Sequence, residues 1–183
     1  MSESAESLSA NQKSRRNVTI EITNITNDFC LLDPVVYLKS GNCHSPPQPI
    51  VRPMKTEVCN FSKSGGSTSG AVGVLTYDVI RKGSQKAGEK IAIMFSVPYD
   101  YNLYKNWAAV GIYDQSRECQ EDLYKEMYYE KSDAFAREEA KGSCIVYSGK
   151  ELEVLCTMSP LGRAIMKVEV WDKSYFSQTQ RPY

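Results

Sequence analysis

From residue 17 to residue 23 the chain alternates strictly. Val18, Ile20 and Ile22 are apolar, and Thr19, Glu21 and Thr23 between them are polar. A period of two predicts a half-buried strand. Further strands are predicted at 34–38, ended by Lys39-Ser40-Gly41, at KTEVCNFS (55–62) and at 107–113. Residues 71–80 and 90–97 are apolar, β-branched runs separated by the polar RKGSQKAGE, which reads as a hairpin with a longer loop. Strands at 145–147, 152–158 and 164–171 complete the set. In the last, Ala164, Met166, Val168 and Val170 face one way, and Lys167 and Glu169 the other. HSPPQPIVRP brings four prolines, which suit edges and loops. SKSGGSTSG (62–70) is a flexible connection by composition.

One segment has a different period. RECQEDLYKEMYYEKS (117–132) has no Gly or Pro and is rich in helix formers. Glu121 and Lys125 form an i,i+4 pair in the favourable order. Leu123 shares a face with Met127, and Tyr124 with Tyr128. Many strands, turn-rich links and one helix predict a mainly β protein, a sandwich with a helix at 117–132. Residues 1–13 are Ser-, Ala- and Glu-rich and read as a mobile or short helical segment before a single domain at 14–183. In the tail, Trp171, Tyr175 and Phe176 read as packing residues.

Composition narrows the function. Lys+Arg and Asp+Glu are each 22, so the formal net charge is zero and nothing draws the chain to nucleic acid. No stretch fits a signal peptide or a membrane-spanning helix, so a soluble protein is expected, cytoplasmic or secreted by another route. In that setting the six cysteines (Cys30, Cys43, Cys59, Cys119, Cys144 and Cys156) read as reduced thiols in preference to disulfides. Asn17, Asn24 and Asn60 begin glycosylation sequons, which carry little meaning outside the secretory pathway. The lone histidine, His44, sits in a proline-rich loop and reads as solvated. No P-loop, nucleophile elbow or metal-ligand cluster is present, so no enzyme, metal or cofactor is expected.

The remaining chemistry lies in the tyrosines. Of twelve, seven lie between Tyr99 and Tyr129. Three are in the turn-forming stretch FSVPYDYNLYKNW (95–107), and three are in the helix, at Tyr124, Tyr128 and Tyr129. Aromatic faces hold a quaternary ammonium ion, and tyrosine hydroxyls bond phosphate oxygens. If turn and helix meet, they make a phosphocholine site. The same rings also fit half-buried packing at the rim of a core, or stacking of sugars or bases. Asp100 reads as a turn cap and not as a catalytic acid.

FSVPYDYNLYKNW closely resembles the most characteristic motif of the actinoporins, sphingomyelin-binding pore-forming cytolysins of sea anemones. In order along the chain, SRRNVTIEITN (14–24) resembles the family's first strand, YLKSG (37–41) its YFRSG, SGAVGVLTY (69–77) its TGAV segment and DLYKEMYYE (122–130) its MYEDLYY helix. The overall impression is nearest to the actinoporin-like proteins of fishes. The resemblance implies a compact β-sandwich flanked by helices. It also implies a phosphocholine pocket built from Lys39, Ser40, Val72, Ser96, Pro98, Tyr104, Tyr124, Tyr128 and Tyr129. Tyr104, Tyr128 and Tyr129 would cage the trimethylammonium, with Ser40, Tyr124 and Lys39 near the phosphate. Tyr101, Leu103 and Trp107 would contact the membrane.

The implied partners are phosphocholine lipids, sphingomyelin foremost and phosphatidylcholine second, and other copies of the chain in a cation-conducting pore. Three departures stand out. Leu103 and Ala108 replace family tryptophans, and KSDAFAREEAKG replaces an Arg-Gly-Asp segment. Only MSESAESLSANQK precedes Ser14. Thirteen helical residues reach roughly 20 Å, short of a ~30 Å hydrocarbon core. A glycan-binding module on the same fold, without pore activity, is the alternative expectation.

Overall fold

Strand β1 (Asn17–Ile25) lies at the centre of a six-stranded sheet, paired in parallel with β12 (Arg163–Asp172) and antiparallel with β5 (Lys55–Ser62). Strands β11 (Leu152–Met158) and β10 (Ile145–Ser148) extend it on one side, and β3 (Asn42–Ser45) on the other. The second sheet is antiparallel, in the order β4 (Ile50–Val51), β2 (Phe29–Ser40), β6 (Ala71–Arg81), β7 (Glu89–Val97), β8 (Trp107–Asp114), β9 (Phe135–Glu139). This computed structural model describes residues 3–174. Tyr175 and Phe176 lie outside the described residues.

The two sheets face each other as a sandwich, as the alternation predicts. Val18, Ile20 and Ile22 meet Leu75, Tyr77, Ile91 and Ile93 in one core. At its centre the rings of Phe61 and Phe95 stack 4.9 Å apart. Each fully buried side chain of this size contributes about 1.5–3 kcal/mol, so the core sets the fold. The Tyr77 hydroxyl enters that core because it can donate to the Gln48 carbonyl at 2.7 Å.

Both outer faces are covered, which sequence alternation alone does not reveal. Helix α1 (Ala5–Ala10) is capped by Ser4 and lies on the first sheet, burying Ala5 and Leu8. Glu6 pairs with Lys167 at 2.8 Å, and the Ala5 amide approaches Glu21. The N-terminal segment thus takes its helical form here. Beneath it, Thr19 is fully buried and not half exposed. The sequon residues Asn17, Asn24 and Asn60 are fully buried as well, held in side-chain hydrogen bonds.

Helix α2 (Glu121–Tyr129) covers the second sheet and is shorter than the predicted 117–132. Gln120 takes extended backbone at its start, and Arg117, before the helix, pairs with Asp122 at 3.6 Å and Glu126 at 3.5 Å. Leu123 and Met127 pack on Val74, Ala92, Met94 and Ala109, so these strands are apolar on both faces. Strand β9 lacks a readable alternation because it is an edge strand with few buried positions. Pro34 interrupts β2 at a register shift next to Asp33, whose φ is 51°. All six cysteines are free thiols. No helix among the described residues is long and apolar enough to cross a membrane.

Candidate functional site

The register of the second sheet draws distant parts of the chain into one row. Ser40 lies opposite Val72, Val72 opposite Ser96, and Ser96 opposite Trp107. Directly opposed residues share a face, and this face is the one covered by α2, where Val72 and Trp107 pack. Above the row stands a ladder of rings. Tyr124 is buried and lies 6.2 Å from Tyr37, while Tyr128 stacks on Tyr124 at 5.7 Å and meets Tyr129 edge-on at 4.7 Å. The outermost ring, Tyr129, is 70% exposed, so the ladder opens to solvent.

The aromatic turn at 98–106 closes on the same place. Asp100 caps it, accepting from the Asn102 amide at 2.8 Å through its side chain and from the Tyr104 amide at 3.0 Å through its carbonyl. Gly70 lets the turn's base approach. A Cβ there would sit 1.8 Å from the Val97 carbonyl oxygen and 2.9 Å from Pro98. Tyr104 projects from the turn into solvent, on the side of Tyr128. Burial is the main cause that pushes the Tyr128 phenol up, with Tyr129 adding to it, and Ser96 and Arg137 offset part of the rise. Burial raises Tyr124 strongly, and its tyrosine neighbours add to this. At neutral pH both phenols are therefore protonated and act as hydrogen-bond donors.

Six of the nine expected pocket residues meet here by register or ring contact, Ser40, Val72 and Ser96 in the row and Tyr124, Tyr128 and Tyr129 in the ladder; Tyr104 stands on the neighbouring turn, and Pro98 lies at that turn's base. Lys39 is committed to an exposed ion pair with Glu121 at 3.4 Å, which Glu121 shares with Lys125 at 3.1 Å. The Ser40 hydroxyl donates to the Gly70 carbonyl at 3.0 Å. Of the expected membrane contacts, only Leu103 is a bare tip, 72% exposed. Tyr101 turns back onto the core, where its hydroxyl donates to Asn106 at 2.8 Å and the Arg16 guanidinium lies 4.4 Å from its ring centre. Trp107 belongs to the row under the tyrosines.

Two residues of the site escaped sequence reasoning. Tyr37 begins the ring ladder, and its position two residues before Lys39 on a strand was the available signal. Arg137 reaches from β9 to the Met127 and Glu130 carbonyls, both at 2.8 Å, and so caps the end of α2, which has no basic residue in its last turn. Nothing in FAREE announces that role.

The family model for sea anemone cytotoxic proteins matches residues 6–172. The chain belongs to that family. Among its relatives, DELTA-alicitoxin-Pse1b of Phyllodiscus semoni is 41% identical over 93 residues, which cover 50% of this chain and 38% of the toxin. DELTA-stichotoxin-Hcr4a of Radianthus crispa is 34% identical over 106 residues, 58% of this chain and 55% of the toxin. The matched stretches thus span well under two thirds of these toxins' own lengths. Among solved structures, the lipid binding protein Nakanori superposes with a TM-score of 0.70 at 12% identity, covering 91% of this chain and 76% of that one. That likeness carries the fold. Family membership groups the chain with the sea anemone cytotoxic proteins.

Proposed function

We propose that this member of the family binds membranes through the phosphocholine headgroup of their lipids, sphingomyelin first and phosphatidylcholine second. The carrying observation is the Tyr124–Tyr128–Tyr129 ladder beside Tyr104, set over the Ser40–Val72–Ser96 row. A trimethylammonium group has no proton to donate, so ring faces are its natural partners, each worth about 0.5–2 kcal/mol. The protonated phenols of Tyr124 and Tyr128 supply donors for a phosphate. The exposed Lys39, once drawn from Glu121, supplies a cation.

Sedimentation with vesicles tests the reading. Sphingomyelin and phosphatidylcholine vesicles should carry the protein down, and purely anionic vesicles should not. Equal recovery in the supernatant for all three would sink it, and a glycan array would then be the next measurement. Self-association and pore formation belong to the same reading, and dye release from the sphingomyelin vesicles tests them separately from binding.

A further inference from the structure

We infer that the 159–162 loop, led by Leu161, is a second membrane-contacting element alongside the 98–106 turn. This rests on the phosphocholine-membrane reading above. The loop is held from three sides. Asn106, almost fully buried, donates from Nδ2 to the Ser159 carbonyl at 3.0 Å and to the Leu161 carbonyl at 2.9 Å. Ser159 exchanges two hydrogen bonds with Ile165, its hydroxyl accepting from the amide at 2.9 Å and its own amide donating to the carbonyl at 3.0 Å. The Gly162 carbonyl accepts from the Asn17 amide at 2.9 Å.

With its backbone fixed so fully, the loop still leaves the Leu161 side chain 62% exposed. An isolated exposed leucine is ordinary, but this one has company. The residue that fastens its loop, Asn106, also fastens the aromatic turn, through the Tyr101 hydroxyl. The turn carries Leu103, 72% exposed, and Tyr104 and Tyr99 are exposed too. Thus two of the most exposed large apolar side chains among the described residues project from loops joined by one buried asparagine.

The surroundings fit a headgroup layer and not a protein partner. A cleft of about 550 Å³ between the turn and the loop is lined by Lys105, Lys141, Ala140 and Pro160, with Glu139 as its one carboxylate. Both lysines are exposed, and neither forms an ion pair among the described residues. On the other flank of the turn, Lys13, Arg15, Arg16 and Lys63, against the single carboxylate of Asp100, line a groove of about 710 Å³. Apolar tips flanked on both sides by an excess of cations over carboxylates suit a surface that is apolar below and carries phosphates above. A bilayer of phosphocholine lipids is that surface.

The experiment compares wild-type protein with Leu161→Ala, Leu161→Asp and Leu103→Ala on sphingomyelin vesicles. Leu161→Ala should weaken partitioning about tenfold, or about 1.4 kcal/mol, and Leu161→Asp should weaken it further. Free phosphocholine, followed by NMR, should perturb the tyrosines of Leu161→Ala as it does those of wild type, and the thermal midpoint should not move. If both Leu161 variants partition like wild type while Leu103→Ala weakens, the inference falls and the phosphocholine reading stands. A loss accompanied by a lower midpoint or altered phosphocholine shifts would also overturn it, since the leucine would then act through folding. Failure of the wild type itself to bind vesicles would remove both.

Discussion

Replacing Tyr128 by alanine removes the middle ring of the exposed ladder, between Tyr124 at 5.7 Å and Tyr129 at 4.7 Å. Two costs follow, and they are separable. Each lost aromatic pair contributes about 0.5–1.5 kcal/mol beyond simple burial, so the fold should lose roughly 1–3 kcal/mol, read as a lower urea midpoint. Under the proposed headgroup reading, the lost ring face also removes one wall of the cage around the trimethylammonium, about 0.5–2 kcal/mol, which should weaken headgroup binding roughly 2- to 30-fold. Tyr128→Phe is the control. It keeps the ring and loses only the hydroxyl beside Ser96, so binding should fall by no more than about tenfold, for a single hydrogen bond. Titration of each variant with sphingomyelin vesicles, at a urea-free temperature well below its melting point, gives the affinities. The reasoning is refuted if Tyr128→Ala binds as wild type does. It is equally refuted if Tyr128→Phe loses as much as Tyr128→Ala, because the hydroxyl and not the ring face would then be the source of affinity.

Other perturbations follow from the same geometry. Asn106→Ala should leave the carbonyls of Ser159 and Leu161 and the Tyr101 hydroxyl without their partner, costing about 2–4 kcal/mol in urea unfolding. A midpoint equal to wild type would show that water replaces the amide freely. Gly70→Ala should force the 98–106 turn away from a contact that would otherwise be 1.8 Å, lowering both thermal stability and vesicle binding; unchanged binding would separate the turn from the site. Lys125 first, and then Lys39, hold the Glu121 carboxyl below its usual 4.5. A depressed folded pKa stabilises above the unfolded value and is lost as pH falls through the folded one, so the urea midpoint should drop below about pH 4.5. Glu121→Gln should flatten that drop, and an identical acid limb in the variant would assign it to other carboxylates. Thiol labelling of the native protein should reach the exposed Cys43 and Cys144, while the buried Cys59 and Cys156, whose pKa values burial raises strongly, should react only in denaturant. Rapid native labelling of Cys59 would mean that the edge strand β3 opens.

The strands and the aromatic chemistry were legible residue by residue. Alternation at Val18, Ile20 and Ile22, and the apolar runs that became β6 and β7, are local consequences of the pleat, which sets neighbouring side chains on opposite faces. The tyrosine spacing at 124, 128 and 129 was equally local, because a helix places i and i+4 on one face. Less could be read where burial came from another part of the chain. Thr19 looks solvent-facing in sequence and is fully buried, its hydroxyl accepting from the Asn60 amide at 2.8 Å. β9 carries an edge-strand sequence with little pattern, yet its Arg137 holds the end of α2. Tyr101 sits in the same turn as Leu103 but answers to Asn106 and Arg16, which lie on other elements.

By itself, then, the sequence determined nine of the twelve strands, all but β3, β4 and β9, together with the longer helix and the residue types available to hold a quaternary ammonium and a phosphate. Those properties depend on intervals of two to four residues, which the backbone translates directly into faces. Only the tertiary structure decided which side chains share a site. Ser40, Val72, Ser96 and Trp107 are separated by loops of unrelated length, and it is strand register, fixed by packing on both faces of the second sheet, that sets them in one row. The same holds for Leu103 and Leu161. Nothing between them in sequence relates the two, and one buried asparagine, donating to two carbonyls of one loop and accepting from the Tyr101 hydroxyl of the other, ties their loops together.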